Sequence, residues 1–473
     1  MPVLLPDLVY LDGAFHRDVA VEFDRESGLI TRTGTLRDLQ PDADDVVRVP
    51  ARALMPGFVN AHSHAFQRAI RGHTQWRPAD IAAKSDFWTW REAMYAAVLG
   101  LTPDEIGVVS RYCFLEMLRA GITTVGEFHY VHRDEDGHAY ANPNELAQRI
   151  VMAAEEVGIR LVLINSAYAT GGIRQPLLPE QRRFNTPDLD AFLEHTSMLR
   201  ASVAHRERVS VAIAAHSLRA VPREWLADIR DWAQAHDSAF HMHVAEQTAE
   251  VESARAEYGL RPVQLLATDG LLDERFTGVH ATHVDDEELL AIGGSGATVC
   301  ACPTTERDLG DGFLRGYDLM EAGAHIAYGS DSQTILDFFE EMRIVEYNER
   351  LQRRRRNVIT AATGPDAAEP AHALIAHATA NGARALRVNA GAIRPGAAAD
   401  FVAVDLTHPV IAGWTDETLA AMLTFCAPTA VIADVWVGGV HRVTEGRHAL
   451  DGVGVITFRD VVRRLLGRRR FPG

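Results

Sequence analysis

Six of the 21 histidines and two acids stand at the ends of four apolar runs. Met55-Pro56-Gly57-Phe58-Val59-Asn60-Ala61 ends in His62-Ser63-His64, and Phe240-His241-Met242-His243-Val244-Ala245 leads to Glu246. Val279-His280-Ala281-Thr282 leads to His283, and Tyr328-Gly329-Ser330 to Asp331. Imidazole nitrogens and carboxylate oxygens are what a zinc-like divalent ion takes, and three imidazoles with one carboxylate around a point make a sound ligand set. His62 and His64, two apart on a strand, face the same side and can reach one ion together. Chance alone supplies about one His-x-His pair in a chain with 21 histidines in 473 residues, so neither 62/64 nor 241/243 is informative by itself. Placement carries the signal: these groups follow apolar strands, and an Asp closes the last. Satisfied structural histidines are the competing explanation, and His195, His205 and His236 are read that way.

Positioning such groups requires strands whose ends converge. The middle of the chain alternates apolar runs with amphipathic stretches, the pattern of a parallel sheet. Eight runs qualify as strands: 55–61, 121–130, 159–168, 209–218, 239–246, 277–283, 297–303 and 325–331. Helical stretches lie between them, among others 103–119, 144–157, 223–236 and 334–355. Eight strand–helix repeats fit a (β/α)8 TIM barrel, whose active site sits at the strand C-termini; a doubly wound open sheet is the fallback. Residues 170–190 lack periodicity and read as a long loop. The Arg353–Arg356 run reads as a solvated helix end. Residues 1 to about 50 alternate apolar and polar positions with turn signals at Asp12-Gly13 and Gly28, and read as short antiparallel strands. The same texture returns at 400–405 and 433–439. The expected organisation is a small β-sandwich domain from both termini (1–54 plus 385–473) around a barrel at 55–384.

A net charge of −17 argues against a nucleic-acid or anionic-membrane surface, though not against an anionic small molecule. The basic residues are 46 Arg and one Lys, Lys84. Barrels that hold two metals often bridge them through a carboxylated Lys at the end of the fourth strand. Here that strand ends Ala214-Ala215-His216-Ser217, so one metal is the inference. The four cysteines form no disulfide framework, and Cys300 and Cys302 read as buried thiols. No signal peptide and no membrane-spanning run is legible, which reads as a cytoplasmic protein.

The chain resembles the amidohydrolase superfamily, in its mononuclear deaminase branch. The resemblance spans essentially the whole length, including the return strand at Gly396-Ala397-Ala398-Ala399-Asp400-Phe401. The motifs that carry it are Gln67-Arg68-Ala69-Ile70-Arg71-Gly72, Phe87-Trp88-Thr89-Trp90-Arg91-Glu92, Glu127-Phe128-His129-Tyr130-Val131-His132, His216-Ser217-Leu218-Arg219, and Thr304-Thr305-Glu306 with Leu309-Gly310-Asp311-Gly312. Their ordered series implies hydrolysis of a formimino group on an amino dicarboxylate, with release of ammonia, by a homodimer. It implies His62, His64, His243 and Asp331 as ligands of one divalent ion, zinc first, with iron or manganese as the other candidates. It also implies Glu246 as proton shuttle and His280 as partner of the attacking water, with Asp331 as the base. His280 is preferred over His283 because it comes first in its motif. Gln67, Arg91, Tyr130, His216 and Arg219 match positions that grip substrate. Two spellings depart from the pattern, Gln333 and Arg307-Asp308, and both are placed at the pocket rim.

Alternatives stay open from the residues themselves. Arg91 could be a surface helix residue packed beside Trp88 and Trp90, and Tyr130 and Gln67 could be core-edge groups. A sister enzyme acting on a heterocyclic ring, a deaminase or chlorohydrolase, would need aromatic or amide contacts where a dicarboxylate needs paired arginines. A catalytically inactive scaffold barrel should have lost ligands, whereas all of them are present.

Overall fold

The computed structural model describes residues 1–75, 86–360 and 369–467; Lys84 lies outside them. Among the described residues eight parallel strands form one sheet in chain order. They are β1 (Phe58–Ser63), β2 (Ile122–His129), β3 (Arg160–Ala167), β4 (Val209–Ser217), β5 (Phe240–Val244), β6 (Phe276–His280), β7 (Thr298–Ala301) and β8 (His325–Tyr328). Just past its end β8 returns to β1 through a Ser63–Asp331 bridge. There the Asp331 amide donates to the His62 carbonyl and the His64 amide to the Asp331 carbonyl, both at 3.0 Å. The result is the (β/α)8 barrel that the alternation of runs predicts.

The outer helices follow from local chemistry. Helix Pro103–Arg119 starts at a Thr102/Glu105 capping box with Pro in its first turn, and buries Ile106, Val109, Cys113 and Met117 along one face. Helix Glu145–Val157 stops at Gly158, whose φ of 84° supplies the left-handed cap.

The first run does double duty. Met55 and Pro56 end a strand of a second sheet, Val46–Pro56, and the barrel strand begins only at Phe58. Gly57 makes the break: its amide donates to the Asp400 carbonyl at 3.0 Å, and a Cβ there would stand 2.1 Å from Thr123 Oγ1. The fifth, sixth and eighth strands end before their apolar runs do, so Glu246, His283 and Asp331 lie on the turns beyond. Those turns hold Ala245, His280, Ala281, Asp331 and Gln333 at positive φ, 51°, 71°, 49°, 43° and 63°. Such a conformation costs a non-glycine residue about 1–2 kcal/mol. Here it swings the chain sharply enough to aim the polar side chains into the barrel mouth.

Residues 170–190 are more than a loop. A 3-10 turn, Pro179–Phe184, buries Gln181, Arg183 and Phe184, and helix Leu189–Val203 begins behind it. The Arg183 guanidinium donates to the carbonyls of Arg133 (2.9 Å), Leu101 (2.7 Å) and Val98, pinning the segment to the end of helix Phe87–Leu99. The Arg353–Arg356 run does end a helix, with Arg353 bonded to Glu349 and Asp318 and Arg354 forming the left-handed cap.

Both termini build the second sheet, which is mixed and has nine strands among the described residues. Val3–Leu11 pairs antiparallel with two short strands, as the N-terminal pattern predicts, but parallel with Val46–Pro56. Val46–Pro56 then pairs antiparallel with Phe401–Asp405 from the far end of the chain. Asp400, fully buried, accepts from Arg160 at the foot of β3 (2.8 and 3.1 Å) and from the Gly438 amide (2.7 Å), tying this sheet to the barrel. Cys113, Cys300 and Cys302 are buried free thiols and Cys426 an exposed one. Among the described residues no helix is long and apolar enough to cross a membrane.

Candidate active site

His62 at the end of β1, His64 just after it, and His243 on β5 bring their Nε2 atoms to 3.2 Å (62–64), 3.1 Å (62–243) and 3.4 Å (64–243) of one another. Asp331 Oδ1 stands 3.6 Å from His62 Nε2 and 3.4 Å from His64 Nε2. All four side chains are buried, and their ligand atoms lie within 4.8 Å of one another. Nitrogens about 2.0–2.1 Å from a tetrahedral zinc would be about 3.3 Å apart, so the spacing suits such an ion.

The tautomers make the same argument. Nδ1 of His64 is 2.9 Å from the Phe128 carbonyl, and Nδ1 of His243 is 2.9 Å from the His216 carbonyl. A carbonyl only accepts, so both protons sit on Nδ1 and both Nε2 atoms turn bare lone pairs toward each other. That juxtaposition is repulsive until a cation enters it. Burial favours the neutral imidazoles a metal requires: it lowers His62 to about 3, and pulls His64 and His243 below their ordinary value. Burial alone would raise Asp331, but the hydrogen bond to His62 and the adjoining imidazoles outweigh it and hold the carboxyl below its usual range. Glu127 props the turn between the first two ligands, accepting from Ser63 Oγ (2.6 Å) and the Ala65 amide (2.7 Å); burial raises it to about 8.

Beside the cluster His280 is buried, with Nδ1 3.2 Å from Glu306 Oε1 and Nε2 3.8 Å from both Glu246 Oε1 and Asp331 Oδ2. Burial works against its imidazolium, yet Glu246, Glu306 and Asp331 together raise it to about 10. His283 packs against Gly312 instead, outside the ligand cluster. Glu246 Oε2 accepts from Arg219 Nη2 at 2.8 Å, and Arg219 Nε lies 3.3 Å from the buried Glu250.

A narrow cleft opens over these groups. Gln67, Arg91, Tyr130, His216 and Arg219 all line it, with His64, His243, Glu246, His280 and Asp331; His62 lies behind. Gln67 donates to Tyr130 Oη at 3.2 Å. Arg91 stacks on Trp88 and Tyr95, its guanidinium carbon 4.5 and 5.4 Å from the ring centroids. Its Nε is buried without a partner, and among the described residues no carboxylate stands within ion-pair distance of it. Among the described residues the two arginines therefore differ: Arg219 is held by two acids, Arg91 by none.

One placement needs correction. Gln333 is fully buried beneath the cluster, not at the rim, and its Nε2 donates to Ser63 Oγ (2.9 Å) and the Asp331 carbonyl (2.8 Å). The reason is the positive φ just past Asp331, which turns it inward. Arg307 pairs with Glu340 on the surface, and Asp308 accepts from Gln75. The sequence gives no role to Glu306, although it stands in the Thr304-Thr305-Glu306 motif, nor to Glu250, Tyr95, Tyr168 and Gln181, whose side-chain partners are distant in the chain.

Fold and site together define the class. The chain belongs to the amidohydrolase family, whose profile matches residues 53–441. It is 38% identical to formimidoylglutamate deiminase of Pseudomonas aeruginosa, over 92% of this chain and 95% of that protein. It is 30% identical to a 5-methylthioadenosine/S-adenosylhomocysteine deaminase of Halobacterium salinarum, over 86% of this chain and 83% of that one. An amidohydrolase from Brucella melitensis superposes with a TM-score of 0.88 at 33% identity, covering 98% of this chain and 100% of that one. The chain is thus an amidohydrolase-fold deaminase, a hydrolytic enzyme with a His/Asp group fit for a metal.

Proposed function

We propose that this enzyme converts N-formimino-L-glutamate and water to N-formyl-L-glutamate and ammonia, a step of histidine breakdown. A divalent cation, zinc before iron or manganese, is held by His62, His64, His243 and Asp331. The observation that carries the substrate is Arg91, a guanidinium lining the cleft with no carboxylate among the described residues within ion-pair distance of it. A half-buried cation of this kind on the cleft wall favours an anionic substrate. Arg219 on the same wall offers a second guanidinium, and guanidinium forks match carboxylates bidentately.

When bound, the cation lowers the pKa of a ligated water from about 15.7 to about 7. Asp331, which would help hold the cation, would also take the water's proton on its carboxylate, whose Oδ2 stands 3.8 Å from His280 Nε2. His280, its Nδ1 pinned by Glu306, places Nε2 toward the oxygen as it joins the formimino carbon, and stabilises the charge that develops there. Both protons of the water must reach the imino nitrogen, and Glu246 carries them there from the oxygen and from Asp331, so that the carbon–nitrogen bond breaks with release of ammonia and not of an amide anion. The oxygen from water remains as the formyl carbonyl.

An ammonia-release assay on the metal-loaded enzyme tests reaction and substrate together, using formiminoglutamate, formiminoaspartate, guanine and cytosine. Turnover of formiminoglutamate well above the rest is the expected result. Release from a ring substrate, with formiminoglutamate inert, would overturn the proposal in favour of a heterocycle deaminase.

A further inference from the structure

Beneath the His/Asp group five buried polar side chains, Asn60, Ser330, Gln333, Ser63 and Glu127, are hydrogen-bonded in a row. Main-chain groups force its direction. Asn60 Oδ1 receives the amides of Ser330 (3.0 Å) and His62 (3.4 Å), so its NH₂ must face the other way, onto Ser330 Oγ at 2.6 Å. A carbonyl only accepts, so the Asp331 carbonyl, 2.8 Å from the Gln333 carboxamide, marks that end as Nε2. Gln333 Oε1 is then left to receive the Ser330 hydroxyl (2.9 Å), while Nε2 also donates to Ser63 Oγ (2.9 Å). Ser63 has one proton to give, and Glu127 Oε2 takes it at 2.6 Å. Each member accepts from the one before and donates to the one after. Bonds arranged this way in a buried setting polarise and strengthen one another.

The row meets the candidate ligands through the main chain at both strands of the seam. Ser63 stands between His62 and His64, Ser330 directly before Asp331, and Gln333 two residues after it. The Asp331 carbonyl receives Gln333 Nε2 and the His64 amide (3.0 Å), which fills both of its lone pairs. Asp331 and Gln333 both have positive φ, 43° and 63°, and such a turn keeps its shape only where its neighbours over-determine it. Gln333 is held from two sides: its carboxamide spans from Ser330 to Ser63, and its own carbonyl accepts from Arg71 Nε. It is fully buried and does not line the cleft. From this geometry we infer that Gln333 is a positioning residue that fixes the pose of the Asp331 carboxylate relative to His62 and His64. It thereby sets how firmly the four groups hold a divalent ion and how well Asp331 is placed to take a proton. The row requires a side chain of this length with an acceptor and a donor at its tip, and the carboxamide supplies both. The inference rests on the metal reading of the His/Asp group and is independent of the substrate.

The experiment compares full-length wild type, Gln333→Met, Ser330→Ala and the double variant, each loaded with zinc or with cobalt(II), with metal content and melting followed throughout. Gln333→Met keeps the length of the side chain and removes all three of its hydrogen bonds. Its affinity for zinc, measured by competition with a chelator, is expected to fall about 10–100-fold, the usual cost of losing support behind a metal ligand. The d–d absorption of its cobalt form should change, because that spectrum reports how the ligands are arranged. Ser330→Ala removes only the donor to Gln333 Oε1 and should shift both readouts the same way by less. The two substitutions should be non-additive in the double variant, since they act through one row. Additive effects would overturn the row as the carrier. A Gln333→Met protein with the wild-type cobalt spectrum and zinc affinity overturns the inference even if it melts lower, because lower melting alone is a structural role. If Gln333→Met fails to fold, an unchanged spectrum and affinity in Ser330→Ala overturn the inference instead. Wild-type protein that takes up no stoichiometric zinc or cobalt would overturn the metal reading itself, whereas normal uptake matched by every variant overturns only the role of Gln333.

Discussion

The terminal sheet and the barrel mouth bury charge in opposite ways. In the sheet, Asp400 is met by three donors, and Arg52 by Asp405, Asp434 and Glu445. In the mouth, imidazole lone pairs confront one another, and Arg91 has no acid beside it among the described residues. One region satisfies its own polar groups. The other holds a His/Asp group fit for a metal ion and a guanidinium stacked on aromatic rings, the groups on which the proposed function rests. Polar groups of this kind gathered at one cleft are a more direct sign of function than concavity alone.

Three changes break or sharpen that contrast, in order of decreasing effect. Glu246→Gln should keep the metal, since Glu246 is outside the ligand cluster, yet lose about 10²–10⁴ in kcat. Metal analysis beside steady-state kinetics checks this, and an unchanged rate removes Glu246 from the chemistry. Asp400→Asn attacks the self-satisfied region. It strands Arg160, and is expected to cost about 3 kcal/mol in denaturant unfolding while leaving the kcat of the folded enzyme alone. A fall in kcat would mean the two regions are coupled.

The third concerns a buried histidine away from the cluster. His377, bonded to Tyr328 Oη at 3.2 Å, is lowered by burial from 6.5 to about 3. Between those values the unfolded chain takes up a proton that the folded one refuses. Stability contributed by this group is therefore full above about pH 6.5 and falls as pH drops toward 3, by about 1.4 kcal/mol per unit. His377→Asn should flatten the stability-versus-pH curve below pH 6.5 by up to that slope. Denaturation midpoints at pH 5 and 7 measure it, and an unaltered curve would show that the folded protein protonates His377 freely.

How much of this could be read from the chain depended on whether the determining contacts were local. The ligand histidines and Asp331 were legible because each follows an apolar strand, and strand ends converge in a barrel whatever the details. The break at Gly57 was not, because it is imposed by Thr123 and Asp400 and not by the run itself. Gln181 gave no signal. Its turn is held by Arg183 on carbonyls roughly 50 and 80 residues away in sequence, and carbonyls belong to every residue, so no pattern of side chains announces them. Arg91 was visible as a candidate, but that no acid among the described residues pairs with it is a fact of three dimensions only.

The seam of the barrel carries a last consequence. The amides and carbonyls that join the ends of β8 and β1 belong to His62, His64 and Asp331, residues separated by nearly 270 positions. An ion held by the His/Asp group would thus share one clasp with the closing of the cylinder. Without the eighth strand in place only three of the four candidate ligands would be available to such an ion. On heating, release of the ion and parting of the cylinder should be a single event, with chelator lowering the melting temperature most where the clasp is weakest.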